Sequence, residues 1–325
     1  MPTVLLSAPY MLPFVDRFRP VFEHFGLELL LPEVRERMEE DQIMRYAGEF
    51  DGAICGDDRY TERVMRACLP RLKVISKWGT GIDSIDRQAA AQLGIRIGNT
   101  PNAFSLPVAD SVLGYMLAFA RRLPWMDAEM KAGRWSKLMG RSLSECTLGV
   151  VGVGNVGKAV IRRAHGFGMT ILGNDVVQID PGFLAGCNVE MTTLRDLLGR
   201  ADFVSLNCDL NPTSRHLINA ETVGWMKAGA VLINTARGLV VDEQALVDAL
   251  RSGRLAGAGL DVFENEPLPA DSPLLVMDNV LLAPHNSNSS PAAWERVHWN
   301  TIRNLLDGLG LDGGQLDQFM QGGGE

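Results

Sequence analysis

The 325 residues are 46% hydrophobic and 22% charged, enough apolar material for roughly two independent cores. The 39 acidic residues outnumber 31 basic ones with no basic patch to offset them, which argues against a nucleic-acid partner. No window approaches the roughly 18 uninterrupted apolar residues of a membrane helix, and the opening Met-Pro-Thr-Val-Leu-Leu-Ser lacks the basic start of a signal peptide.

In chain order, short β-rich apolar runs alternate with segments of helical period. Strands are predicted at 3–7, 27–31, 52–55, 73–76 and 95–97, with helices at about 15–25 and 85–93. This βαβ alternation implies a parallel sheet covered by helices on both faces. At Asn99-Thr-Pro-Asn102 turn chemistry breaks the pattern, and a domain boundary is placed there. A helix over about 107–122 follows, expected to end before Pro124. It carries Leu113, Met116, Leu117 and Ala120 on one face and Val112, Tyr115 and Phe119 on another, so burial at a subunit interface or between domains is expected. Alternation resumes with a strand at 147–153, a helix at 156–167 and a strand at 169–174. Further strands are expected at 203–207, 230–234, 257–261 and 280–283. The last helix, about 291–309, is expected to return to the first domain, and the Gly-rich end beyond Gly310 to fray.

The five cysteines, Cys55, Cys68, Cys146, Cys187 and Cys208, are scattered singly, with no paired spacing and no nearby histidine at metal-ligand distance. They are expected to be reduced thiols in a cytoplasmic chain without a structural metal.

The run Gly149-Val-Val-Gly-Val-Gly-Asn-Val-Gly157 places Gly152, Gly154 and Gly157 in G-x-G-x-x-G spacing, where an apolar strand gives way to a helix. In that setting the first glycine permits a tight turn, the second lets backbone approach a pyrophosphate, and the third lets helix pack on strand. The helix N-terminus, at Asn155 and Val156, then faces the negative charge. Glycine triplets also occur in ordinary turns, so the context carries the reading. Asp175 ends the next strand near the expected spacing, where a carboxylate accepts from both ribose hydroxyls and repels a 2′-phosphate. Val176, Val177 and Gln178 provide no cation to hold such a phosphate, which favours NAD over NADP.

Three further stretches put ionisable residues at strand ends: Asn234-Thr-Ala-Arg-Gly238, Gly259-Leu-Asp-Val-Phe-Glu-Asn-Glu-Pro267 and Ala283-Pro-His-Asn286. With these in view, the chain resembles the D-isomer-specific 2-hydroxyacid dehydrogenases, the family that includes 3-phosphoglycerate, glycerate and formate dehydrogenases. The resemblance runs from Leu72-Lys-Val-Ile-Ser-Lys-Trp-Gly-Thr-Gly-Ile-Asp83 to His285. It implies NAD-dependent hydride transfer at C2 between a small D-2-hydroxy acid and its 2-keto acid.

The chemistry suits the residues. A permanently charged guanidinium at Arg237 can hold a keto acid through paired hydrogen bonds. His285 is the right type to donate a proton to the developing alkoxide, and Glu266 to orient and charge its ring. The resemblance further implies cofactor contacts from Cys208, Thr235, Ala236 and Asp261, the last to the nicotinamide carboxamide. It also implies a substrate loop of Lys77, Trp78, Gly79, Thr80 and Gly81 whose backbone N–H groups hold the substrate carboxylate. Taken singly, Arg237 is compatible with a surface ion pair, Glu266 with a loop acid and His285 with a capped turn. The other histidines, His24, His165, His216 and His298, lack a comparable context.

The chain departs from the family's common forms at three places. Asp110 stands where Glu is usual, Asn286-Ser-Asn-Ser-Ser290 replaces a frequent Gly-Gly-Ala-Thr-like run, and Asp57 and Asp58 occupy a loop where phosphoglycerate enzymes carry an arginine. Two acids oppose a phosphorylated substrate, although Arg59 is placed to compensate.

The expected fold is α/β: two Rossmann-like or flavodoxin-like doubly wound parallel-sheet domains with an active-site cleft between them. Residues 1–100 plus 286–325 form the substrate domain and 101–285 the NAD-binding domain. A homodimer is expected. Two other readings stay open: a phosphite- or formate-type oxidant on the same fold, and an NAD-sensing interaction protein like the related corepressors.

Overall fold

The computed structural model describes residues 1–320, which divide into two compact units: Met1–Ala103 with the segment from Ser290 onward, and Phe104–Ser289. In the first unit, β1 (Thr3–Leu6), β2 (Glu28–Leu30), β3 (Gly52–Cys55), β4 (Val74–Lys77) and β5 (Arg96–Gly98) form one sheet in the order β2-β1-β3-β4-β5. Every pairing is parallel. β1, β3 and β4 are buried along their whole length, which explains why they read as continuous apolar runs rather than alternating ones. One face is packed by Ile43, Phe50, Tyr60, Met65 and their neighbours. The terminal helix, Pro291–Leu309, lies against β3, β4 and β5. It comes unusually close: a Cβ on Gly308 would collide with Val74, and one on Gly52 with Leu305.

The second unit holds β6 (Thr147–Val151), β7 (Thr170–Asn174), β8 (Val189–Met191), β9 (Phe203–Leu206), β10 (Ala230–Asn234), β11 (Leu255–Leu260) and β12 (Val280–Leu282). They pair in parallel in the order β12-β11-β10-β9-β6-β7-β8, so the strand order reverses between β6 and β9. Open parallel sheets bind ligands outside the carboxyl ends of strands at such a reversal. In the first sheet the equivalent point falls between β1 and β3.

Three expectations require correction. The helix expected over 107–122 spans Ser105–Arg121, and its second apolar stripe packs within the second unit. Phe119 and Tyr115 pack over Gly257 and Gly259 of β11, and the same helix lies along Asn155–Gly166, so both stripes belong to the second unit's own core. Pro124 does not end helical structure either. Arg122 takes a left-handed conformation (φ 57°) that closes the first helix, and Leu123–Lys131 follows as another, with the proline in its first turn, where its missing N–H costs nothing. Beyond Gly310 the chain does not fray as far as it is described. Short turns at Gly313–Leu316 and Asp317–Met320 bury Leu316, and Asp317 pairs with Arg303 at 2.6 Å. Residues 321–325, the rest of that segment, lie outside the described residues.

Candidate active site

At the reversal point of the second sheet, Gly152 follows β6 with φ 87° and its N–H donates to the carbonyl of Asn174. A side chain there would strike the backbone of Asn207 and Cys208, and one on Gly157 would run into the carbonyl of Gly152. Gly154 differs. A Cβ on it meets nothing within 4 Å, so the open side of the loop is a cradle that only a larger residue would fill. The helix Asn155–Gly166 starts there with no side chain capping its first N–H groups. Asp175 accepts from the N–H of Val153 at 2.6 Å and of Val177 at 3.0 Å, which fixes its carboxylate beside the glycine loop. Thr235 Oγ1 is buried without a protein partner. An open glycine cradle, a bare helix N-terminus, a fixed acid and an orphaned hydroxyl together fit a dinucleotide. Burial pushes the Cys208 thiol up to about 11, so it serves the site as an apolar neighbour rather than a nucleophile.

Arg237, Glu266 and His285 follow β10, β11 and β12, three adjacent strands, at their carboxyl ends. His285 Nδ1 lies 2.9 Å from Glu266 Oε2, and Glu266 Oε1 accepts the N–H of Phe263 at 2.9 Å. The carboxylate can only accept, so Nδ1 carries the proton and Nε2 is the nitrogen turned from the acid. Beside Arg237, buried Asn234 accepts the N–H of Ala236 at 3.1 Å and donates to the carbonyl of Arg237 at 2.9 Å. Asn234 opens the 234–238 motif without a role assigned from sequence; the signal for it is an amide that ends a buried strand before a turn.

Asp261 is 2% exposed and accepts from the N–H groups of Asn286 at 2.7 Å and Ser287 at 2.9 Å. Its carbonyl accepts the N–H of His285 at 2.8 Å. Expected only as a cofactor contact, it is also what holds the histidine turn.

In the first unit, Lys77 is 5% exposed, and its Nζ sits 3.0 Å from Asp57 Oδ1 and donates to the carbonyl of Trp78. Trp78 is buried, its ring 5.0 Å from Tyr10 and 5.6 Å from Trp294, with Nε1 donating to His298 Nδ1 at 2.9 Å. Gly79 (φ 123°), Thr80 and Gly81 follow, with Thr80 at the surface.

Asp58 departs from expectation. It is 0% exposed, accepts from the Ser7 hydroxyl and from the Met38 N–H at 2.7 Å, and burial raises it to about 6. It ties β1 to the segment before residue 39 and does not face a substrate. Arg59 pairs with Glu39 at 3.0 Å in the open. Asp110 joins Arg163 at 2.6 Å, linking two helices of the second unit.

The sequence profile described as "D-isomer specific 2-hydroxyacid dehydrogenase, NAD binding domain" matches residues 113–287. D-3-phosphoglycerate dehydrogenase of Methanocaldococcus jannaschii is 38% identical over 264 residues, 80% of this chain and 50% of that protein. The chain thus spans half the length of that relative. Hydroxypyruvate reductase of Thermotoga maritima is 38% identical over 281 residues, 85% of this chain and 90% of that one. The crystal structure of D-lactate dehydrogenase from Aquifex aeolicus, complexed with NAD and lactic acid, superposes with a TM-score of 0.85. It has 28% identity and covers 98% of each chain.

The glycine loop yields a clean separation of roles. Gly154→Ala should leave the melting temperature nearly unchanged yet weaken NADH binding roughly tenfold, since its new methyl enters only the open cradle. Gly157→Ala should instead lower the melting temperature by about 5 °C or more, because its Cβ meets backbone that cannot yield. Thermal scans and NADH fluorescence titrations on both variants decide it, and matching profiles would refute the assignment.

Proposed function

The chain belongs to the D-isomer specific 2-hydroxyacid dehydrogenase family of NAD-dependent oxidoreductases, and we propose that it reduces a small unphosphorylated 2-keto acid to the D-2-hydroxy acid, and the reverse. The observation that carries this reading is the 2.9 Å contact of His285 Nδ1 with Glu266. It orients the imidazole and favours its charged form, as a proton donor to a developing alkoxide requires.

NAD, when bound, supplies or takes up the hydride at C2. The chain's own residues do the rest. Arg237 pairs with the acid's carboxylate and carbonyl oxygen, drawing electron density from C2. His285 passes its Nε2 proton to that oxygen during reduction and takes it back during oxidation. Backbone N–H groups at Gly79–Gly81 hold the substrate carboxylate, and Thr235 Oγ1 and Asp175 hold the cofactor.

Substrate choice follows from the pairing of cations at the carboxyl end of the first sheet. Lys77 is committed to Asp57 in a nearly buried pair, whereas Arg59 meets Glu39 in solvent, where an ion pair is worth little. The rings of Tyr10, Trp78 and Trp294 stand together beside the substrate loop. This surrounding offers little to a phosphate.

We also infer a homodimer. The helix Leu123–Lys131 buries none of its residues, and Trp135 (81% exposed) and Met139 (95%) follow it, an apolar surface that a second copy would cover. The five cysteines are all free thiols, which supports a reducing, cytoplasmic setting. Among the described residues, no helix is long and apolar enough to cross a membrane.

Kinetics, pH profiles and light scattering test these readings. In a panel of glyoxylate, pyruvate, hydroxypyruvate and phosphohydroxypyruvate, an unphosphorylated acid should give the highest kcat/KM, with NADH at least roughly tenfold better than NADPH because of Asp175. A lead for phosphohydroxypyruvate would mean that Arg59 leaves Glu39 for the phosphate. His285→Ala should cut kcat about 10²- to 10⁴-fold while NADH still binds. Glu266→Gln should make reduction fail at a lower pH than in the parent, since the imidazolium loses its counter-charge; an unmoved alkaline limb would remove Glu266 from the proton path. Light scattering should report a dimer for the parent and monomer for Trp135→Ser/Met139→Ser, whereas a monomeric parent would dismiss the assembly.

A further inference from the structure

His298 lies on the terminal helix and is the one buried histidine in the chain's described residues, 4% exposed among Phe14, Phe18 and Trp78. Its Nδ1 is 2.9 Å from Trp78 Nε1. An indole nitrogen donates and cannot accept, so this contact assigns the tautomer: Nδ1 is the acceptor, and the ring is neutral with its proton on Nε2. Burial agrees, lowering His298 to about 4 despite the opposing influence of Glu295, whose charge is itself matched by Arg17. A protonated ring would turn N–H against N–H and break the bond.

Trp78 is the residue that leads into Gly79, Thr80 and Gly81, and the same helix also grips the far side of that loop. Asn300 Nδ2 donates to Thr100 Oγ1 at 2.9 Å, and Asn304 Nδ2 to the carbonyl of Asn99 at 3.0 Å. Asn99 and Thr100 in turn close on the loop: Thr100 N–H meets the carbonyl of Gly79 at 2.8 Å, Thr80 Oγ1 that of Thr100 at 2.8 Å, and Asn99 Nδ2 that of Thr80 at 2.6 Å. Ser76, at the end of β4, donates to the carbonyl of Thr301 at 2.7 Å. The loop is therefore laced to one helix face at both ends. At the Trp78 end, His298 accepts the indole N–H across that interface.

We propose that His298 is a positioning residue for the substrate loop: by accepting the indole N–H of Trp78 it fixes the peptide entering Gly79–Gly81, and so the direction of the N–H groups offered to the substrate carboxylate. The inference rests on the reading of that loop as the carboxylate site. His298 touches neither substrate nor cofactor in this role. Losing the acceptor leaves a buried indole N–H unsatisfied, and the ring must shift to recover a partner, carrying the loop with it.

The test compares two substitutions of similar polarity. His298→Asn keeps an acceptor near the position of Nδ1, whereas His298→Gln moves it towards the position of Nε2. In 15N-labelled protein, with the Trp78 indole resonance assigned through Trp78→Phe, the Asn variant should keep the parent's indole proton shift and the Gln variant should lose it. With glyoxylate as the probe, the Gln variant's KM should rise about five- to tenfold, with kcat and the NADH dissociation constant changed less than about twofold. The Asn variant should stay within about twofold of the parent in all three. An unchanged KM in the Gln variant, or equal damage in both variants, would overturn the positioning role. Should the parent reduce no 2-keto acid at all, the functional reading fails instead, and the indole resonance still decides: an unmoved signal in the Gln variant shows that His298 does not hold the loop.

Discussion

The buried carboxylate of Asp261 is the constraint on which the second unit's chemistry depends. An ionised acid in the interior is costly unless its oxygens are satisfied, and here each accepts a backbone N–H, from Asn286 and Ser287. Those bonds draw the chain after β12 back over the end of β11. His285 is thereby held with φ 51°, a conformation that non-glycine residues adopt only when their surroundings enforce it. Its ring then meets Glu266, which leaves the same strand end as Asp261 five residues later and is tied down by the N–H of Phe263. One acid shapes the turn and the other orients the imidazole. Asp261 receives two backbone donors, whereas Glu266 receives one backbone donor and the imidazole.

Both sheets use the same architectural opportunity in different ways. In each, parallel strands bring loops to one carboxyl edge, where the reversal of strand order separates neighbouring loops. The second unit fills its reversal with a glycine turn and a bare helix N-terminus, the arrangement an anion needs. The first fills its edge with Tyr10, the Lys77–Asp57 pair and the Trp78 loop. Among its described residues the one buried acid, Asp58, is spent inside, joining Ser7 to Met38.

What was legible in the sequence is what local pattern encodes. The strand ends, the glycine spacing, Asp175 and the order Arg237, Glu266, His285 all come from short stretches whose meaning does not depend on distant neighbours. Burial was harder to read. Asp57 and Asp58 are adjacent and chemically identical, yet one stays partly exposed while pairing with buried Lys77 and the other is wholly enclosed. The two apolar stripes of Ser105–Arg121 were visible, but not that glycines in β11 make room for its aromatic residues. Leu123–Lys131 is not legible in the sequence, because a proline reads equally as the end of one helix and the start of the next. His298 lacked any motif, since its partner Trp78 is 220 residues away in sequence.

That separation has a physical consequence for the first unit. The second is built from one continuous stretch, Phe104–Ser289, whereas the first combines its first 103 residues with a segment that begins only at Ser290. Bringing the terminal helix onto β4 closes a loop of about two hundred residues, and the entropy of that closure grows only slowly with length. It is lower still once the intervening residues are themselves folded, because their ends are then held at fixed positions. The contacts that repay the closure are concentrated: Gly308 and Gly52 admit the helix to van der Waals distance, Thr301 takes the Ser76 hydroxyl, and Asn300, Asn304 and His298 grip the loop. The backbone that follows β4 therefore owes its shape to residues at the opposite end of the sequence. A glycine-bearing loop such as Gly79–Gly81 has little stiffness of its own, and its geometry must come from whatever packs behind it.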